Sequence, residues 1–139
     1  TDLSSYSEAT IRTTKALGLL DRLSVSLLHV FSVPATALMR RVSLSDAEKQ
    51  SYIAGEKRRV AEEVASFVNK INVDGVATIL KPATASIDDT ICETASEMAA
   101  ELIVMGTCGR SIVARVLMGS VTEGVLRNSD RDVLAIPPP

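Results

Sequence analysis

The chain has 139 residues, enough for one domain with a buried core, and its 46% hydrophobic content comes mainly from Ala, Val, Leu and Ile. A net charge of −2, no Trp and an aromatic content of 3% argue against a polyanion-binding surface or stacking platforms for RNA and single-stranded DNA. No apolar run approaches membrane-spanning length, the first residues lack a signal-peptide pattern, and two cysteines without metal spacing suit a reducing, cytoplasmic setting.

In chain order, helix and strand patterns alternate as in a doubly wound α/β domain spanning 1–139. Ser4 to Leu20 predicts a helix with a face of Ala9, Ile11 or Thr13, Ala16, Leu17 and Leu20. Ser24 to Phe31 predicts a strand, and His29 inside it is a core residue rather than a base. Pro34 and the small residues behind it make a connection. Ser45-Asp46 opens a long charged helix to Asn69 or Ile71, buried along Ile53, Val60, Val64, Phe67 and Val68. Its run Glu56-Lys57-Arg58-Arg59, with Glu62-Glu63, is a solvated face with opposite charges in reach.

Gly75 punctuates, and Val76 to Leu80 predicts the next strand, stopped by Lys81-Pro82. Ser86 to Ala99 predicts a helix with Ile87, Ile91, Ala95 and Met98 on one face and Cys92 inside the apolar pattern. Asp88-Asp89 begin that helix, so they read as caps and not as a phosphoacceptor or metal pair. Glu101 to Met105 is a short apolar run of the kind a buried parallel strand makes. A helix over Val121 to Asn128 and a strand over Asp132 to Ile136 complete the series, and Pro137-Pro138-Pro139 end it.

The last third carries the chemistry. Met105-Gly106-Thr107-Cys108-Gly109-Arg110 is followed, with nine residues between Gly109 and Gly119, by Gly119-Ser120-Val121-Thr122. Strand, glycine turn and helix start form the geometry in which main-chain N–H groups converge on an anion. Gly106, Gly109 and Gly119 permit positive φ and close ligand approach. Ser120 stands three residues before Glu123, a capping-box spacing that starts the helix there. The amides from Val121 and Thr122 onward then point outward at the positive end of the helix dipole. Ser120 and Thr122 add hydroxyls, and Arg110 adds a fixed charge for phosphate. Cys108 lies between the two glycines, where a thiol can act as a redox sensor or merely fill the turn. The plain alternative for either half alone is a glycine turn and an ordinary capped helix.

Taken together, Gly-x2-Gly-x9-Gly-Ser after Leu102-Ile103-Val104-Met105 resembles the nucleotide-binding signature of the universal stress proteins. Thr1-Asp2 with the helix after it, Leu27-Leu28-His29-Val30 and Val133-Leu134-Ala135-Ile136-Pro137 extend the likeness along the whole chain. The resemblance implies a parallel five-stranded sheet, ordered 3-2-1-4-5, with helices on both faces. Thr1-Asp2 already match the turn after the first, central strand. That strand is therefore expected from residues ahead of the given sequence, from the other half of a tandem protein, or from another chain.

The resemblance also implies site roles. Asp2 and Val30 correspond to the nucleoside side, Val30 through its backbone at the adenine edge. Met105, Gly106, Gly109 and Arg110 correspond to the ribose and phosphates, and Gly119, Ser120, Val121 and Thr122 to the phosphate-binding helix start. The ligand implied is ATP, or ADP or AMP, with Mg2+ or Mn2+ able to bridge phosphates although the sequence offers no cluster of protein ligands. The partner implied is a second copy, or a tandem pseudo-dimer, paired through Val133 to Ile136. No nucleic acid or membrane partner is expected.

Nothing in the residue set argues for an enzyme. A lone histidine leaves the usual serine or cysteine triads without a base, and no Gly-x4-Gly-Lys-Ser/Thr loop is present. The expectation is a cytoplasmic stress-response regulator that binds an adenine nucleotide. A slow ATP hydrolase and a structural stress-response dimer with an empty cleft stay open beside it.

Overall fold

Apolar periodicity and capping residues account for most of the elements in the computed structural model, which describes residues 1–33, 45–73, 75–83, 85–109 and 118–139. In chain order these are α1 (Ser5–Ala16), α2 (Leu19–Arg22), β1 (Ser26–Phe31), α3 (Asp46–Ile71), β2 (Ala77–Pro82), α4 (Ile87–Glu97), β3 (Leu102–Gly106), α5 (Ser120–Asn128) and β4 (Asp132–Ile136). Ser4, Ser45 and Ser86 each cap a helix by accepting a main-chain N–H three residues on. Glu48 completes a capping box with Ser45. The connection expected at Pro34 lies outside the described residues.

Two helical faces differ from expectation for one physical reason. The helix expected over Ser4 to Leu20 breaks at Gly18, which takes φ 72. The break is closed by Leu17 N–H to the Thr13 carbonyl at 3.0 Å and Gly18 N–H to the Lys15 carbonyl at 2.9 Å. Its buried residues are Glu8, Thr10 and Thr14, whereas Leu17 is 59% exposed. Thr10 and Thr14 return their hydroxyl protons to the carbonyls of Tyr6 and Thr10, so they enter the interior with no unmet donor. In α4, Thr90 and Thr94 do the same toward Ser86 and Thr90. There Thr90, Thr94 and Ala95 are buried while Met98, past the helix end, is exposed.

Strand β1 pairs with β2 in parallel from Ser26↔Ala77 to Phe31↔Pro82. Lys81-Pro82 therefore belongs to the strand instead of stopping it, and the ladder runs one step further through Ala83 N–H to the Phe31 carbonyl at 2.9 Å. Strand β3 pairs with β4 in parallel from Leu102↔Asp132 to Gly106↔Ile136. Among the described residues these are two separate two-stranded sheets, not one continuous five-stranded sheet.

Helix α3 packs on β2 and α1 on β3, and these two helices touch each other. Helices α4 and α5 likewise touch each other, with α4 on β1 and α5 on β4. Each helix pair therefore bridges both strand pairs. Phe31, Val33, Val60 and Val64 form the central apolar cluster, flanked by Leu3, Leu27, Ile53, Val68 and Leu80. Full burial of each such side chain contributes about 1.5–3 kcal/mol. The strands are parallel within each pair, and the glycine-rich segment follows the carboxyl end of β3.

Candidate functional site

Two hydrogen bonds tie the end of β3 to the start of α5, and a third extends its pairing with β4. Thr107 N–H donates to the Ile136 carbonyl at 2.9 Å, which carries the β3–β4 ladder one residue past the strand. Gly119 N–H donates to the Thr107 carbonyl at 2.7 Å. The Thr122 hydroxyl donates to the Gly106 carbonyl at 2.9 Å, and Thr122 is 3% exposed. The two bends of the signature thus meet face to face. The first bond of α5 itself runs from Glu123 N–H to the Gly119 carbonyl at 3.0 Å. The amides of Ser120, Val121 and Thr122 precede it, where a helix has no acceptor of its own for them and carries its positive dipole end.

Several expected roles change in this geometry. Gly119, not Ser120, is the N-cap, at φ −79 with no side-chain cap bond. Ser120 is the first helical residue and is exposed. Glu123 reaches forward to Arg127 at 2.6 Å instead of back to Ser120. Gly119 takes the cap position because its carbonyl accepts the first helical bond while its amide is held by Thr107. Thr122 spends its hydroxyl proton on the Gly106 carbonyl, a bond that seats the helix. Positive φ is confined to Gly18 and Gly75 among the described glycines. What Gly106 and Gly109 supply is close approach. A Cβ on Gly106 would stand 2.8 Å from the Thr10 hydroxyl of α1, so that glycine serves helix packing. A Cβ on Gly109 would stand 3.0 Å from Oδ2 of Asp2.

That last proximity brings the start of the chain to the signature. Oδ1 of Asp2 accepts hydrogen bonds from Ser4 N–H at 3.0 Å, Ser4 Oγ at 2.6 Å and Ser7 Oγ at 2.6 Å. A hydrogen bond therefore links Gly106 with Thr122, and the Asp2 carboxylate borders the space a Cβ on Gly109 would take. Gly119 joins them through Thr107. Val30 lies near the end of β1 opposite Lys81, and Met105 near the end of β3 opposite Ala135. Ser120 and Val121 open α5 beside the carboxyl end of β3, the end of a strand at which open α/β sheets bind ligands. Arg110 lies outside the described residues. Thr107, Thr10, Ser4 and Ser7 were not singled out in the sequence. Their only signal was polar residues recurring beside the glycines and the first aspartate.

The remaining reactive groups are engaged elsewhere. His29 is buried, and its Nδ1–H donates to the Thr1 carbonyl at 2.8 Å. Asp89 caps α4 together with Ser86, and Asp88 packs against Gly124 of α5 so closely that a Cβ there would collide with it. Burial pushes the Cys92 thiol above its ordinary value, with Asp88, Asp89 and Asp130 adding to the rise. Cys92 is half-buried. Cys108 is half-buried with its Sγ 3.8 Å from the Thr107 hydroxyl. Among the described residues no group of three or more His, Cys, Asp or Glu stands close enough to hold a metal ion. No described helix is long and apolar enough to cross a membrane.

A cavity of about 290 Å³ lies at the other end of the molecule. It is lined by Lys15, Leu20, Asp21, Val25, Asn72 and Val76, just ahead of β1 and β2. None of the residues of the glycine signature is among those lining it.

Comparison with known proteins places this geometry. The sequence model of the universal stress protein family matches residues 1–137. Universal stress protein MJ0531 of Methanocaldococcus jannaschii is 35% identical over 82 residues, covering 59% of this chain and 42% of that relative's length. Universal stress protein MJ0577 of the same organism is 23% identical over 98% of this chain and 90% of its own length. The solved structure of MJ0577 superposes with a TM-score of 0.71, covering 100% of this chain and 92% of that one. A universal stress protein solved in complex with cAMP superposes with a TM-score of 0.52 at 22% identity, covering 99% of this chain and 91% of that one. At these identities the structural likeness establishes a shared fold.

Proposed function

The chain belongs to the universal stress protein family, and on that premise we propose that it binds an adenine nucleotide at the carboxyl ends of β1 and β3. The observation that carries the reading is the 2.7 Å bond from Gly119 N–H to the Thr107 carbonyl. It holds the bend after β3 against the start of α5, so amides from both segments border one space. An anion suits that space because helix-start N–H groups and the dipole act together. The fold relative solved with cAMP supports an adenine nucleotide as the ligand.

In this reading the phosphates lie over Gly119, Ser120 and Val121, with Thr122 seating the helix beneath them. Arg110 supplies charge beside the phosphates. Asp2 repels phosphate, so the nucleoside end lies on its side, with Val30 at the base and Met105, Gly106 and Gly109 along the ribose. ATP, ADP and AMP all fit this polarity. Mg2+ or Mn2+ would be carried by the phosphates, since the described side chains form no cage for it. The cleft supplies positioning and charge without an assigned base, which favours a sensor or regulator of the stress response over a catalyst. A cytoplasmic site of action suits a ligand of this class.

The same reading places a fifth strand between β1 and β3. The observed pairs are the ones that order 3-2-1-4-5 contains on either side of its central strand. Strand β4 is an edge with β3 as its described neighbour, and pairing of two copies there would cover its open main-chain groups. The test is calorimetric titration with ATP, ADP and AMP, combined with mass spectrometry of the denatured protein for co-purified nucleotide. Saturable binding with one nucleotide per chain is the expected result. No adenine species on the purified protein and no heat at millimolar ATP would overturn the reading, and ADP release that survives purification would turn it toward a hydrolase.

A further inference from the structure

Ser4 and Ser7 belong to no part of the glycine signature, yet both hydroxyls converge on Asp2. One carboxylate oxygen, Oδ1, takes both hydroxyl protons at 2.6 Å and the Ser4 N–H at 3.0 Å. Ser7 Oγ in turn accepts the Asp2 N–H at 3.1 Å, so one hydroxyl grips both the side chain and the main chain of Asp2. Bonds of this kind to an ionised acceptor are among the stronger ones in proteins. Between these residues Leu3 sits at φ 64, a conformation that a side-chain-bearing residue adopts at a cost. Leu3 is held there by its N–H to the Thr1 hydroxyl at 3.1 Å and by packing against the apolar core. Strain of this sort persists where the surroundings over-determine it. The product of the whole turn is one held carboxylate, with Oδ2 of Asp2 3.0 Å from where a Cβ on Gly109 would stand.

We propose that Ser7, with Ser4, is a positioning residue of the nucleotide site, acting through Asp2 and not by touching the ligand. The inference rests on the reading of the site given above. An ionised carboxylate only accepts hydrogen bonds, so a ligand atom that meets it must be a donor: a ribose hydroxyl or an exocyclic amine. Fixing the carboxylate beside Gly109 therefore fixes which end of the ligand enters there. Ser7 is the informative residue of the two. Ser4 also caps α1 by accepting the Ser7 N–H at 3.2 Å, so its loss would weaken the helix as well.

The experiment is calorimetric titration of the full chain with ATP, comparing wild type, Ser7→Ala, Ser7→Thr, Asp2→Ala and the Ser7→Ala/Asp2→Ala double variant. Ser7→Ala is expected to weaken ATP about tenfold, Ser7→Thr to restore most of that loss, and Ser7→Ala to have no further effect once Asp2 is gone. Thermal unfolding without nucleotide serves as the fold control, and Ser7→Cys, a weaker donor of similar size, replaces Ser7→Ala should that variant not fold. Equal ATP affinity in wild type and the Ser7 variants overturns the positioning role while leaving the site reading intact. A loss that persists undiminished in the Asp2→Ala background overturns it too. Wild-type protein that takes no ATP overturns the site reading itself, and this proposal with it.

Discussion

Helix α3 meets β1 and β2 through Phe31, Val33, Val60 and Val64, whereas α5 meets the end of β3 through hydrogen bonds from Gly119 and Thr122. Both are helices returning a chain between parallel strands. The first joint is made of apolar side chains, Val60 and Val64 against Phe31 and Val33, which exclude water. The second is made of main chain and one hydroxyl, with Val125 as its fully buried apolar anchor. Apolar packing gives stability without chemistry. A joint of backbone bonds keeps N–H groups at the surface where a ligand can reach them. The same βαβ unit, used twice, thus supplies a foundation in one half and the proposed site in the other.

This contrast separates stability from binding, and mutations can break it. Val64 is 1% exposed, and Val64→Ala is expected to cost about 2–3 kcal/mol of stability through lost burial and the cavity left behind. The melting temperature should fall by roughly 5–15 °C while ATP affinity of the folded protein stays at the wild-type value. Gly109→Val should do the reverse. Its side chain would crowd Oδ2 of Asp2, and ATP affinity should fall at least about tenfold, or about 1.4 kcal/mol, with a smaller change in melting temperature. Equal losses of stability and affinity in either variant would erase the distinction between the two halves.

Thr122→Val tests the seam between them. It keeps the shape but removes the donor to the Gly106 carbonyl, so stability should drop by about 1 kcal/mol, with a modest loss of affinity as the first turn of α5 loosens. Unchanged thermal unfolding would show that the bond does not hold the helix. The smallest effect concerns the joint between α1 and α3. The Lys70 ammonium, 2.6 Å away, holds the Glu8 carboxyl below its ordinary value of 4.5, with the Lys70 and Arg12 charges adding to the drop and desolvation opposing it. A depressed carboxyl stabilises the fold above the unfolded value and loses that contribution as pH falls through the folded one. The melting-temperature advantage of wild type over Glu8→Gln should therefore be present at neutral pH and shrink below about pH 4.5. A gap that stays constant through acid would contradict the assignment.

Periodicity made the α3 face legible, since Val60, Val64 and Phe67 lie on one stripe and are buried together. The strand runs were legible for the same reason. Helices α1 and α4 were expected as elements, but their buried faces, Ala95 apart, were not legible, because those faces carry threonines whose hydroxyls are satisfied within the helix and a hydrophobicity pattern counts them as polar. The signature fixed which segments would meet, through glycines and a helix start. It did not assign their tasks. Gly106 makes room for Thr10, Gly109 for Asp2, and Thr122 locks the helix, all of which depend on residues distant in the chain. Ser4 and Ser7 escaped notice because the capping signal they give is common, while the close approach of Asp2 to Gly109 exists only in three dimensions.

The most direct test is an amide-resolved titration: isotope-labelled protein observed by NMR as ATP is added. The account predicts that the amides of Thr107 to Gly109 and of Gly119 to Thr122 shift together and saturate at one equivalent, with those lining the Lys15–Asp21 cavity unmoved. Shifts confined to that cavity, or absent from either of the two bends, would contradict it.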